Sequence, residues 1–154
     1  MLKAIDLPLF LLFALPIGFY DAREYRIPDL LSLGGILAFL LLHILRWNGE
    51  GGLWDSVTAC ALGFGSFWLI RTVSGGKLGL GDAKFSALIA VAAGLSGWFA
   101  ALLVASVAGL LWAAVMMGIF RADRRMRIPF APFLGLGGTL AIAFRNLYPL
   151  WGGV

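Results

Sequence analysis

Charged residues are scarce in this chain. They make up 13% of its 154 residues, and there is one cysteine, one histidine and no polar stretch long enough to build a second core. Each shortage excludes something. A lone Cys60 offers neither an internal disulfide nor a metal cluster and says nothing about redox compartment. His43, in Leu40-Leu41-Leu42-His43-Ile44, has no metal-ligand spacing around it. It reads as an interhelical hydrogen-bonding or interfacial residue. Without a second core there is no soluble domain, so residues 1–154 are expected to form a single membrane-embedded unit. The first apolar run lacks a small-residue cleavage site and is followed by others, so it is expected to stay as a helix and not to be removed as a signal peptide.

What is present is apolar. Hydrophobic residues reach 61% and the mean hydropathy is +0.94, which places the chain among integral membrane proteins. Six apolar segments stand out: Leu7–Tyr20, Leu30–Leu45, Leu53–Val73, Lys84–Leu95, Trp98–Phe120 and Phe130–Leu150. A membrane span needs about 20 residues, so the first and fourth are short. The fold class expected is all-α and polytopic, with about six transmembrane helices. Asp6 and Pro8 mark a helix start, Asp6 as its cap. Pro16 and Gly18 are expected to bend the first helix. The fourth and fifth segments are joined only by Ser96-Gly97, which requires a tight antiparallel pair.

The net charge of +4 does not point to nucleic acid, because the basic residues flank apolar segments. Arg23, Arg26, Arg71, Lys77, Arg121, Arg124, Arg125 and Arg127 follow segments one, three and five, with Lys84 at a boundary. Lys3 and Arg46 lie on the other side, and Arg145 lies in or near the end of segment six. The positive-inside rule then puts the first group in the cytoplasm and both termini outside.

Two carboxylates land at that cytoplasmic face. Asp21 ends the first apolar run, and Asp82 lies in Gly79-Leu80-Gly81-Asp82-Ala83-Lys84, where a glycine-rich loop becomes an apolar helix. Ionisable residues at membrane helices are costly and are functional candidates by default. Two that meet can share a proton, one activating water while the other polarises a carbonyl. The bland reading is a helix cap for Asp82 and a solvated loop residue for Asp21. Helix dipoles favour charge on Asp82, at a helix start, over Asp21, at a helix end. Asp82 is therefore expected to be the ionised member. Gly79 and Gly81 are expected to let backbone approach a substrate or to take positive φ.

Three blocks carry more than spacing: Asp21-Ala22-Arg23-Glu24-Tyr25-Arg26-Ile27-Pro28-Asp29, the Gly79–Lys84 block, and Ile128-Pro129-Phe130-Ala131-Pro132-Phe133-Leu134. In this order the chain resembles the type IV prepilin peptidases, membrane aspartyl proteases with a Gly-x-Gly-Asp motif. The resemblance implies that Asp21 and Asp82 are a catalytic pair cutting the short basic leader from prepilins or pseudopilins at the cytoplasmic side of a prokaryotic inner membrane. It implies no cofactor, no metal and no nucleic acid, with membrane lipids as surroundings. Asp29 stands where the family usually has Asn, and Ala131 where Gly is common. Larger members carry a cysteine-paired insertion and methylate the product; with Cys60 alone, a peptidase without methyltransferase activity is expected.

Glu24 and Asp29 are candidates for attracting a basic leader, against solvation or pairing with Arg23 and Arg26. Lys84 is a candidate substrate contact, against interfacial snorkelling. Asp55 and Ser56 read as caps for the third segment, and Trp47, Trp54, Trp98 and Trp151 as an interfacial belt. Two rival functions stay in view. One is a small transporter using the aspartates as proton or cation sites, and the other is a catalytically silent assembly factor. A presenilin-like protease cutting within transmembrane helices is a third possibility.

Overall fold

The apolar runs become five helices in the computed structural model, which describes residues 5–46, 52–76, 78–120 and 129–147. They are α1 (Asp6–Glu24), α2 (Asp29–Leu45), α3 (Gly52–Val73), α4 (Leu80–Gly118) and α5 (Ala131–Leu147). The all-α expectation holds among the described residues. Lys3, Trp47, Lys77, Arg121, Arg124, Arg125, Arg127, Ile128 and Trp151 lie outside them, as do both chain ends on which the terminal topology depends.

α4 accounts for the difference between six segments and five helices. A straight helix over Leu80–Gly118 would be nearly 60 Å long, about twice the hydrocarbon thickness. It is not straight: Gly94 has φ 76° and ψ 173°, a backbone conformation closed to residues with a Cβ. The indole Nε1 of Trp98 donates to Ser86 Oγ at 2.8 Å, although twelve residues of continuous helix would separate the two by about 18 Å. The chain therefore reverses at Gly94, and residues 80–93 and 95–118 form two arms. The reversal comes two residues earlier than the Ser96-Gly97 joint the sequence suggests.

The short arm is the centre of the molecule. From Phe85 to Ala93 every residue is buried, with α5, α3 and α2 packed around it. This explains why segment four is too short for a lipid-facing span. It is apolar all round because protein, not lipid, surrounds it. Its alanines and serine let neighbours come close, as small residues do in membrane bundles. Ser86 Oγ donates to the Gly63 carbonyl at 3.0 Å, and a Cβ on Gly63 would fall 2.7 Å from that of Ala90. Trp98, expected in an interfacial belt, is instead buried as the donor closing this chain, whereas Trp54 is exposed. Phe10 of α1 stacks on Phe85 from the other side, with ring centroids 6.3 Å apart.

The outer surface is greasy. Leu103, Val107, Leu110 and Leu111 on the long arm, and Trp68, Leu69 and Ile70 on α3, point away from the core. α3 and α4 are each long and apolar enough to cross a membrane, and α2 is a shorter apolar helix. α1 runs through Pro16 without leaving the helical conformation, and Gly18 lies against Pro132 at the start of α5.

The end of α1 that carries Asp6 holds a buried ionic node. Asp6 does not cap α1; no side-chain cap bond forms there. Its carboxylate is 2% exposed and shared, Oδ1 with Arg46 Nη1 at 2.7 Å and Oδ2 with Arg145 Nη2 at 2.5 Å. Arg145 also donates to the Ala92 carbonyl at 2.9 Å, just before the reversal. Two arginines read from sequence as topology signals thus tie α1, α2, α5 and the central arm together. Ser56 does not cap α3 either. Its Oγ lies 2.6 Å from His43 Nδ1, the interhelical bond expected of that histidine.

Close approach between α4 and α5 depends on Gly137, where a Cβ would sit 2.3 Å from the Ala101 carbonyl oxygen. Backbone cannot give way as a side chain can. Gly137→Ala is expected to destabilise the protein by about 1–3 kcal/mol in a detergent unfolding assay. Gly65→Ala on α3, with nothing within 4 Å, should instead be neutral or gain up to about 1 kcal/mol.

Candidate active site

Helix ends place the residues of interest. α1 extends a turn beyond its apolar run, so Asp21 is helical and not in a loop. The helix stops because Tyr25 takes the left-handed conformation (φ 52°, ψ 34°) with its N–H bonded to the Asp21 carbonyl. That turn costs a non-glycine residue about 1–2 kcal/mol, and it sends Ile27 and Pro28 straight into α2. At the end of α3, Gly75 and Gly76 have positive φ, and Gly76 N–H returns to the Arg71 carbonyl at 2.8 Å. This is a Schellman-type stop. Arg71 Nη1 donates to the Leu78 carbonyl and so shapes the loop ahead of Gly79. From sequence, Arg71 reads as a topology signal alone.

The three sequence blocks converge. Asp21 is 7% exposed, and its Oδ2 accepts the backbone N–H of Ala131 at 2.9 Å. Ala131 is the first residue of α5, so its N–H is one a helix start leaves without an internal acceptor. Asp82 stands in the first turn of α4 with Gly79 as N-cap, and its carboxylate accepts a bond from the Gly79 backbone. This is the reciprocal half of a capping box. Ile27 packs directly on Gly81, and Lys84 Nζ lies 2.6 Å from Asp29 Oδ1. The Asp21 charge is felt at Asp82. All these residues lie where the end of α1 and the starts of α2, α4 and α5 meet.

Several expectations change here. Gly79 has φ −66° and Gly81 is helical, so neither provides positive φ. They provide room: a Cβ on Gly79 would come 3.0 Å from Asp82 Oδ2, and one on Gly81 would come 2.7 Å from the Ile27 Cβ. Lys84 does not snorkel outward but binds Asp29, which remains 64% exposed. Arg23 lies over the Phe19 ring at 4.8 Å. Glu24 is exposed on the last turn of α1. Gly81→Ala is expected to push Ile27 and the α1–α2 connection off α4, lowering any activity of the site. Ile27→Ala in the same chain should recover part of it, a coupling that a double-mutant cycle measures.

Both carboxylates are held above their ordinary range. Both carboxylates lie just beyond their apolar runs, Asp21 after Tyr20 and Asp82 before Lys84. Burial raises Asp21 above the ordinary carboxylate value, but the Ala131 and Phe130 backbone N–H groups oppose it. Asp82 goes from 3.8 to about 6, first by burial and then by the nearby Asp21 charge, against one bond from Gly79. Such a pair titrates as one system, and hydrogen bonds to the charged form decide where the first charge rests. Two such bonds reach Asp21 and one reaches Asp82. The helix terminus beside the Asp21 carboxylate is the start of α5 and not the end of α1, so the dipole reading leaves out the nearest helix end.

The sequence pattern of the type IV leader peptidase family matches residues 8–114, more than two-thirds of the chain. The chain belongs to this family. It is 28% identical over 141 residues to the prepilin leader peptidase/N-methyltransferase of Stutzerimonas stutzeri, covering 90% of this chain and 46% of that protein. The protein of the same name from Pseudomonas aeruginosa is 28% identical over 143 residues, again 90% of this chain and 46% of the relative. That from Dickeya chrysanthemi is 30% identical over 134 residues, 82% of this chain and 46% of the relative. The chain thus spans about half the length of the curated relatives it matches. No solved structure matches it. Family membership and the apolar exterior together mark a membrane protein.

Proposed function

We propose that the chain is an aspartic endopeptidase that removes the short basic leader from prepilins or pseudopilins at the cytoplasmic face of the inner membrane, with Asp21 and Asp82 as its catalytic pair. One observation carries the reading. Two carboxylates 61 positions apart in sequence are brought to one end of the bundle, Asp21 bonded to the start of α5 and Asp82 in the first turn of α4, with Ile27 of the α1–α2 connection packed on Gly81. A structural cap or a solvated loop residue has no need of such an arrangement. The names of the relatives supply the substrate class. The cytoplasmic location of the pair rests on the positive-inside argument, as do six crossings and outward-facing termini.

Within this reading the first charge is placed on Asp21, the carboxylate that accepts two backbone N–H bonds. Ionised Asp21 takes a proton from water as its oxygen attacks the scissile carbonyl carbon, while Asp82 gives its proton to the carbonyl oxygen. As the tetrahedral diol collapses, Asp21 passes its proton to the leaving amine and Asp82 recovers one from the hydroxyl. The leader departs with a carboxylate and the mature protein with a free amine. Both carboxyl groups return to their starting states. Glu24, exposed on the turn after Asp21, presents negative charge to a basic leader, while Asp29 is already paired with Lys84. The reaction uses no metal and no cofactor.

The decisive experiment co-expresses the chain with a candidate prepilin and sequences the N-terminus of the product. Loss of a short basic leader with the unchanged chain, and an intact leader with Asp82→Asn, is the expected result. Ion flux in liposomes without any cleavage would instead favour the transporter reading.

A further inference from the structure

A groove opens on the flank of the bundle between residues 96–104 of the long α4 arm and α5. It has a volume of about 530 Å³, within the ~300–1,000 Å³ typical of ligand sites. Its walls are small, with Gly97, Ala100, Gly137 and Ala141 among them, and Arg145 closes one end. Arg145 is 14 positions along α5 from Ala131, or about 21 Å from the aspartate pair. The groove is therefore separate from the aspartate pair.

We propose that this groove holds one acyl chain of an anionic phospholipid, with the lipid phosphate seated on Arg145. Depth supports a lipid. From Gly137 to Arg145 the groove follows about 12 Å of α5, close to half of the ~30 Å hydrocarbon core. That matches a chain in one leaflet and is far too short for a transmembrane helix. The opening supports a lipid as well. Ala100, Leu140 and Phe144 are exposed at its rim, so it faces the bilayer laterally and not the aqueous phase.

Charge selects the headgroup. Arg145 is 28% exposed, and two of its five N–H donors are engaged, by Asp6 and by the Ala92 carbonyl. Its carboxylate partner is divided with Arg46, one oxygen to each guanidinium. A guanidinium at the mouth of an apolar groove, with donors left over, is suited to a phosphate, which its planar fork binds through two oxygens. A zwitterionic headgroup brings a compensating cation with its phosphate, whereas phosphatidylglycerol does not.

The test is a thermal unfolding series on the purified protein in vesicles of phosphatidylcholine, with and without phosphatidylglycerol. Phosphatidylglycerol is expected to raise the Tm of the unchanged chain. Arg145→Gln should lose that response, though it also removes an ion pair. Ala100→Leu is the cleaner variant, because it fills the exposed wall and leaves the Asp6 pairs intact. It should weaken the apparent lipid affinity about tenfold or more. Asp82→Asn should respond fully, since the site does not depend on the proposed peptidase reaction. An unchanged response in Ala100→Leu would overturn the inference. So would an equal Tm rise with glycerol phosphate in phosphatidylcholine vesicles, which would mark a free-anion site. A concentration-dependent dimer abolished by Ala100→Leu would assign the groove to a second copy of the chain and overturn it too.

Discussion

Asp82→Asn should be inactive and yet more stable than the unchanged protein. Loss of a positioned acid or base typically removes about 10²–10⁴ in rate, and here it removes one of the two groups the proposed reaction needs. The stability gain follows from the sign of the shift. Asp82 takes up its proton at about pH 6 when folded, against 3.8 in an ordinary setting. Above pH 6 the folded state therefore carries a partly buried charge beside Asp21, which unfolding relieves. Below 3.8 both states are protonated and the penalty vanishes. The Tm advantage of Asp82→Asn should be full at pH 8, shrink through pH 6 to 4, and be absent in stronger acid. Asp21→Asn should be equally inactive with a smaller advantage, since the relief of its buried charge is offset by leaving the Ala131 N–H a weaker, uncharged acceptor. Cleavage of a prepilin in detergent, with Tm measured across pH, checks both. An Asp82→Asn variant that cleaves at an unaltered rate would end the proposed mechanism.

The second large effect lies at the opposite end of the bundle. Asp6→Asn or Asp6→Leu should destabilise the protein by about 3–5 kcal/mol, because it leaves two sequestered arginines without their shared carboxylate. Among single substitutions this is at the upper end, and it should appear as poor accumulation in membranes as well as a lowered unfolding midpoint. Replacing Asp6, Arg46 and Arg145 together by apolar residues of similar volume should recover much of the loss. A triple variant no better than Asp6→Leu alone would show that the node does more than neutralise charge.

Local features were legible in the sequence. The bounds of α2 and α3 follow their apolar runs to within a residue, with Pro28 just ahead of α2 and paired glycines after α3. His43 was legible as an interhelical bond. What the sequence hid was partnership between distant positions. An acid at a helix start reads as a cap, and nothing near Asp6 announces arginines 40 and 139 positions away. Trp98 reads as interfacial because its serine partner lies on the other arm, before the reversal. The reversal was misplaced by two residues because Ser96-Gly97 and Gly94 are equally plausible breaks until the backbone selects one. In the candidate site, the blocks named the right neighbourhood. They could not show that Asp21 would be held by a backbone N–H, because main-chain donors leave no mark in side-chain identity.

The bond from Ala131 to Asp21 also sets an order of events during synthesis. A ribosome releases the chain from its N-terminus, and early segments fold before later ones arrive. The nascent protein thus has both acidic side chains long before it has the amide that bonds one of them. Until the α5 start has emerged and docked, the first aspartate is without that donor, and on the proposed mechanism the water-activating group is not yet poised. A hydrolase assembled in the same membrane as its substrates would gain from this delay. The amide that holds the aspartate of the first helix is supplied by the fifth, 110 positions later.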